Sequence, residues 1–216
     1  MSAPQPGRRS GRPRSLTRER VARAALAEGV GRMSMPTVAR RLGVSHSTLY
    51  RYVHDRDDLV LAAVDLAVRE FDWPAPTPDW RATLTALADA VWDLLARHPG
   101  LAGAAAVVPG MPRAAAEQVG RYVATLRAAG FSAEDALLGV DFVIDLTLGT
   151  AGLMTDLARR HATPDGPRPL HELHRRTWPE LVELVGGPAA DQLLTGRGWF
   201  DRKLVVLLDG LAARLP

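Results

Sequence analysis

With 216 residues, 47% of them hydrophobic, the chain suffices for one compact body and a small head, and its lack of cysteine excludes disulfides, thiolate metal sites and a cysteine nucleophile. The formal charge of +3 hides an asymmetry: residues 1–56 carry twelve arginines against Glu19, Glu28 and Asp55, a balance of +9, while the rest holds 15 basic and 21 acidic residues, or −6. One end is therefore built for a polyanion and the remainder is not. Lys203 is the sole lysine, so the positive charge is guanidinium, which grips phosphate with two parallel donors. A genomic preference for Arg codons explains the choice of Arg over Lys, but not its concentration at one end. The missing thiols fit a reducing cytoplasm. The basic N-terminus lacks the apolar stretch of a signal peptide, and the longest apolar run, 136–154, is interrupted by Asp141 and Asp145, so no membrane span is expected.

Residues 1–15 are Pro, Gly, Ser and Arg with almost nothing apolar, an arm expected to be disordered in the free protein. Within it Arg8, Arg9, Arg12 and Arg14 surround Gly11 and Pro13. An extended Gly-Arg-Pro-Arg fits a narrow minor groove, and the alternative is a solvated tail that adds only non-specific affinity. A first helix is expected over Arg18–Glu28, capped by Thr17 and stopped by Gly29, with Val21 and Ala25 inward. Met35, Val38, Ala39 and Leu42 then fall at i, i+3, i+4 and i+7 behind Ser34 as N-cap. Gly43 is the left-handed stop, Val44 an apolar plug, and Ser45 the cap of another helix from His46 to about Val53. That is the grammar of a helix-turn-helix. Leu49 and Val53 can point inward, leaving His46, Ser47, Thr48, Tyr50, Arg51 and Tyr52 as a donor-rich, aromatic surface suited to phosphates and major-groove base edges.

After His54, Asp55, Asp57 and Asp58 load the first turn of a fourth helix with the charge its dipole favours. Arg56 sits among them, available to a phosphate at that helix start or to an ion pair with Asp58. The helix runs to about Phe71 and is apolar around much of its girth, so it must pack on both head and body. Residues 72–78 form a proline-stiffened linker. Six further helices are expected, over 79–98, 101–108, 111–129, 132–161, 170–185 with a break at Pro179, and 199–215, with a mobile loop at 163–169. No stretch has period-2 alternation, so the fold class is all-α. The run 136–157 is apolar nearly all round, with Gly139, Gly149, Ala151 and Gly152 as small faces, and needs neighbours on every side. The last helix offers Phe200, Leu204, Leu207, Leu208 and Leu211 with Gly210. Two such helices from each of two subunits would make a four-helix dimer interface; the other reading is a self-contained monomer core.

The segment Leu16–Ala63, with LTRERVARAALAEG, SMPTVARRLGVSHSTLYRYV and HDRDDLVLAAV, resembles the DNA-binding domain of the tetracycline-repressor (TetR) family. The terminal string WFDRKLVVLLDGL is similar to the last helix of such bodies. One departure is Pro36, which stands where many relatives carry a polar or basic residue able to reach DNA. The resemblance implies a helix-turn-helix DNA-binding domain with its connecting helix over 16–71 and a helical effector-binding and dimerisation domain over 72–216. It implies a cytoplasmic, homodimeric transcriptional regulator, a repressor first, that binds a palindromic double-stranded operator and releases it when a small-molecule effector enters the body. The DNA-contacting residues would be Ser45, His46, Ser47, Thr48, Tyr50, Arg51, Tyr52 and Arg56, with Arg12 and Arg14 from the arm. A regulator without a small-molecule effector, controlled by a protein partner, is the alternative.

Within the body, Asp141 and Asp145 lie one turn apart in the apolar helix. Burying a carboxylate is costly unless it is paired, so either they meet Arg or hydroxyl partners in the interface, or one of them faces a pocket and receives a cationic or hydroxyl-bearing ligand. Trp80, Trp92, Tyr122 and Phe142 are the candidate apolar lining, or plain core. The string His171-Glu172-Leu173-His174 lacks the i, i+4 histidine pair of a zinc motif, and neither a G-x-S-x-G nor a Gly-rich phosphate loop occurs. No cofactor, metal or catalytic residue is expected. An enzyme using the two acids, and a sequence-blind architectural DNA binder using the arm, are the rivals from other classes.

Overall fold

The computed structural model describes residues 16–107 and 110–214 and contains twelve helices among them. The arm, with Arg12 and Arg14, lies outside the described residues. The head is α1 (Arg18–Glu28), α2 (Met35–Leu42) and α3 (His46–Leu49). Thr17 Oγ1 accepts from the Arg20 amide at 3.2 Å and starts α1. At the start of α2 the Thr37 amide donates to Ser34 Oγ (3.3 Å) while the Ser34 amide donates to Thr37 Oγ1 (2.9 Å), a reciprocal cap worth about 1 kcal/mol. Pro36 occupies the first turn, where its missing N–H is no loss. Gly43 ends α2 in the left-handed region at φ 67° and ψ 30°, as the sequence grammar requires. Val21, Ala25, Val38, Leu49 and Val53 close the head core.

One difference concerns α3. It makes a single helical turn instead of reaching Val53, and the chain goes on as a tighter turn in which Tyr52 N (2.8 Å) and Val53 N (3.0 Å) both donate to the Leu49 carbonyl. That geometry turns Tyr52 half inward against the core, so it is not part of the open surface expected for it.

The connecting helix α4 (Arg56–Glu70) buries Leu59, Val60, Ala63, Val64, Leu66, Ala67 and Val68. It packs on α1 of the head and on α6 (Leu101–Ala105) and α7 (Arg113–Ala128) of the body. The linker after it is pinned: Trp73 Nε1 donates to the Val68 carbonyl at 2.7 Å, Tyr122 Oη to the Pro74 carbonyl at 3.0 Å, and the Thr77 amide to Thr83 Oγ1 at 2.9 Å. α5 (Trp80–Arg97) faces the core with Leu84, Leu87, Val91, Leu94 and Leu95. α8 (Ala133–Leu157), capped by Ser132, is 25 residues of mostly apolar sequence, long enough to cross a bilayer by length and composition alone. Here it packs against α5, α7 and the last helix, α12 (Gly198–Ala212).

Three further differences separate this body from the expectation. α8 stops at Leu157 rather than near His161, and the stretch expected to be a loose loop closes an antiparallel pair, Arg160–His161 (β1) with Arg168–Pro169 (β2), around a turn in which Thr163 Oγ1 donates to the Gly166 carbonyl at 2.6 Å. Pro179 does split the following region, into α9 (Leu170–Thr177) and α10 (Pro179–Val185). A further helix, α11 (Gly187–Leu194), begins with a Gly-Pro that reads in sequence as a breaker but sits in a first turn.

Candidate functional site

The surface of the helix-turn-helix is organised by its caps. Ser45 Oγ accepts from the Thr48 amide at 3.2 Å and lies 2.9 Å from Ser47 Oγ and 2.7 Å from Thr48 Oγ1, a cluster of hydroxyls at the N-terminus of α3. His46 and Tyr50 meet edge to face, 5.1 Å between centroids, and Tyr50 is 51% exposed. Arg51 and Arg56 are exposed and make no hydrogen bond or ion pair among the described residues. These groups therefore present donors, one imidazole and one phenol, the chemistry needed for phosphates and base edges.

Asp58 does not pair with Arg56. Arg18 takes it with both terminal nitrogens, Nη1 to Oδ2 at 2.9 Å and Nη2 to Oδ1, while Arg18 Nη1 also donates to the Tyr52 carbonyl at 2.7 Å. The His54 amide (2.9 Å) and its Nδ1 (3.0 Å) add to Asp58 Oδ2. The Arg18 guanidinium, helped by the His54 amide, holds the Asp58 carboxyl far below the usual carboxylate range. Asp58 thus ties α1 to the turn after α3, a role that its sequence position as a dipole-favouring acid does not reveal. Arg23 is likewise spent on Glu19 and Glu70, and Arg41 on Glu28 and the Ala27 carbonyl. Part of the head's positive charge is structural, and Arg51 and Arg56 remain turned outward.

In the body a cavity of about 480 Å³ lies between α4, α5, α7 and α8. Val64 and Val68 of α4 and Leu87, Val91 and Leu94 of α5 supply apolar walls, with Trp73, Val119 and Tyr122. α8 contributes Leu137, Asp141, Ile144, Asp145 and Leu148, a stripe at i, i+4, i+7, i+8 and i+11. Both aspartates line the cavity with exposed side chains, and neither has a hydrogen bond or ion pair among the described residues. The expectation that they are buried is therefore corrected: the α8 turn that carries them opens toward the cavity mouth. Tyr122 lies in the cavity wall as well, with burial pushing its phenol up.

Three expected lining residues lie elsewhere. Trp80 packs edge-on against Phe131 (5.2 Å) under the Arg81 guanidinium, and Trp92 packs on Phe200 (4.9 Å) beneath Arg197, stapling α5 to α12. Phe142, 52% exposed, faces a shallow groove with Val206, Leu207 and Gly210 of α12. It flanks the α8 stripe that carries Asp141 and Asp145 and lies outside the cavity lining. His171 Nδ1 lies 3.2 Å from the Leu157 carbonyl and His174 stacks on Trp178, so the two histidines serve different contacts.

Residues 73–215 match the model of the tetracyclin repressor-like C-terminal domain. The chain belongs to the TetR family. Residues 11–56 match a helix-turn-helix domain of resolvase, the span that holds α1 to α3. An HTH-type transcriptional regulator of Saccharopolyspora erythraea is 31% identical over 208 residues, covering 92% of this chain and 85% of the relative. An HTH-type transcriptional repressor of Mycobacterium tuberculosis is 34% identical over 143 residues, 61% of this chain and 55% of the relative. Among solved structures, a possible TetR family transcriptional regulator from Streptomyces coelicolor superposes with a TM-score of 0.72 at 27% identity, over 91% of this chain and 98% of that one. The Streptomyces coelicolor TetR family protein ActR in complex with (S)-DNPA gives 0.70 at 23%, over 94% and 100%. BioQ with its natural double-stranded DNA operator gives 0.63 at 23%, over 92% and 99%. These last two share the fold. The protein is thus a DNA-binding transcriptional regulator of the TetR family, with its helix-turn-helix match over the span of α1 to α3.

Proposed function

We propose that this TetR-family regulator is a cytoplasmic repressor that binds a palindromic operator as a homodimer and releases it when a small molecule occupies the body cavity. The observation that carries this reading is α4. Leu59, Val60 and Ala63 on that helix belong to the core shared with the head, while Val64 and Val68, on the next turns, form a wall of the cavity. A ligand that fits better when α4 is displaced shifts the population toward an arrangement in which the two heads no longer match successive major grooves, about 34–36 Å apart on B-DNA. Moving the balance from 1:99 to 99:1 requires a preference of about 5.5 kcal/mol between the two arrangements.

In this reading Ser45, His46, Ser47, Thr48, Tyr50, Arg51 and Arg56 meet the operator, Tyr52 supports them from the core, and Arg12 and Arg14 reach the minor groove. Support for DNA and small-molecule partners comes from the neighbours BioQ, solved with its operator, and ActR, solved with (S)-DNPA. For the dimer, support comes from the apolar face that α8 and α12 leave open, where Phe142, Leu153, Val205 and Val206 are each half exposed or more. Leu204, Leu208 and Leu211 of α12 are taken up by the protomer's own core, so the face between subunits consists of Val205, Val206 and Leu207 rather than of the whole leucine set.

The test is selection of bound duplexes from a random pool at near-physiological salt. An enriched inverted repeat is the expected result, and binding without any enrichment would overturn the operator reading. Deleting residues 1–14 should then lower the slope of log affinity against log salt by about 0.9 for each phosphate that the arm no longer neutralises.

A further inference from the structure

We propose that the cavity between α4, α5, α7 and α8 is a site for a lipophilic organic cation, anchored by Asp141 and Asp145; this rests on the reading of the cavity as an effector site. Among the described residues lining the cavity, these two aspartates are the only charged ones, and the remaining polar side chains are Gln118, Tyr122 and the Trp73 indole. Each of those neutral groups already has a partner. Gln118 Oε1 accepts from Arg121 at 2.9 Å, the Tyr122 hydroxyl donates to the Pro74 carbonyl, and Trp73 Nε1 donates to the Val68 carbonyl. The aspartates have none.

Two of the three other acids on α8 are held in ion pairs. Asp135 is paired with Arg214, and Asp156 with Arg159 at 3.4 Å. Asp141 and Asp145 are instead left as a like-charge pair at i, i+4, an arrangement that destabilises a helix. A single cation placed between two carboxylates four residues apart, about 6 Å along the axis, removes that repulsion, and it does so only when the ligand is present. The opposite wall is apolar: Val68, Leu87, Val91 and Leu94 offer no donor or acceptor. The complementary ligand has an extended apolar body against those side chains and one positive charge at the α8 end. An anion of the same size meets two uncompensated carboxylates, and a neutral analogue gains from the apolar wall alone.

The full-length protein is titrated calorimetrically with two apolar-bodied monocations, tetraphenylphosphonium and desipramine, and with tetraphenylborate and N-acetyldesipramine as anionic and neutral counterparts. Both cations are expected to bind at least tenfold more tightly than their counterparts, about 1.4 kcal/mol. In Asp141→Asn/Asp145→Asn that preference should fall below threefold with little change in Tm, since both side chains are exposed. Equal or better binding of the borate or the acetylated amine, no binding of either cation, or a preference retained in the asparagine variant would each overturn the proposal. The same four compounds are scored in parallel for release of the selected duplex. A cation that binds selectively but leaves DNA bound overturns the effector reading and keeps the site, whereas a neutral compound that binds and releases DNA keeps the effector reading and removes the cation.

Discussion

Tyr50 and Asp58 sit eight residues apart in the head and do opposite kinds of work. Tyr50 is half exposed and meets His46 edge to face, so its removal deletes surface without opening a cavity. Tyr50→Ala should weaken operator binding tenfold or more in an anisotropy titration while stability stays within about 0.5 kcal/mol; a large fall in Tm would place it in the core instead. Asp58 is a joint between α1, the turn after α3 and the start of α4. Because its carboxyl is held far below the ordinary value, it contributes stability that is present above the unfolded-state pKa of about 3.9 and is lost as pH falls through the folded-state value. Asp58→Asn should cost about 1–3 kcal/mol at neutral pH. The gap between variant and wild type should then narrow as the medium is taken to pH 3 and below in urea-unfolding curves. A gap independent of pH would show that the carboxylate charge is not what binds the joint.

At the level of the element, the start of α7 has no side-chain cap of its own, because its N-cap is Pro112. The Ala114 amide donates instead to Asp65 Oδ1 at 2.9 Å, so a carboxylate on α4 caps α7, and the pair spans two walls of the cavity. Asp65→Ala should cost about 1 kcal/mol and speed amide hydrogen exchange at residues 113–116 while leaving α1 unchanged; equal protection in the two proteins would remove Asp65 from this role. A cap supplied by another helix is invisible in sequence, since nothing near Pro112 announces it. The caps that were legible are local: Thr17, Ser34, Ser45 and Ser132 each bind the amide three residues on, and the i, i+3, i+4 spacing of α2 and α5 fixed their buried faces. The candidate site was legible in placement only, where it lies on such a helix: the exposed side chains of α3, and Asp141 and Asp145 on one stripe of α8. It was not legible for Trp80, Trp92 and Phe142. On helices with broad apolar girth the spacing does not say which neighbour each face will meet, and here those neighbours are Phe131, Phe200 and the groove beside α12.

Across the whole molecule, two places test how head and body are coupled to each other and to the proposed second subunit. On the outer face of α12, Val206 is 72% exposed and contributes little to the protomer's own stability. Val206→Glu should therefore leave the fold intact and shift sedimentation from dimer to monomer, with loss of operator binding; an unchanged sedimentation profile would move the interface elsewhere. The second is the contact between the turn after α1 and the turn after α5. Gly100 adopts φ +88°, and a Cβ placed on it would stand 2.8 Å from Gly31 N and 3.0 Å from Gly31 Cα. Both obstructing atoms are backbone, so no side chain can yield, and the two turns must separate. Gly130 is the control. It too has positive φ, +105°, but a Cβ there meets nothing within 4 Å, so Gly130→Ala carries only the conformational cost of a left-handed alanine, about 1–2 kcal/mol. Gly100→Ala carries that cost plus a displacement of the head against the body. Operator affinity should then change in Gly100→Ala, whose site shares a surface groove with Gly31 and Arg56, and not in Gly130→Ala. Equal affinities in the two variants would mean that the head is positioned by α4 alone and that the glycine contact merely permits close packing.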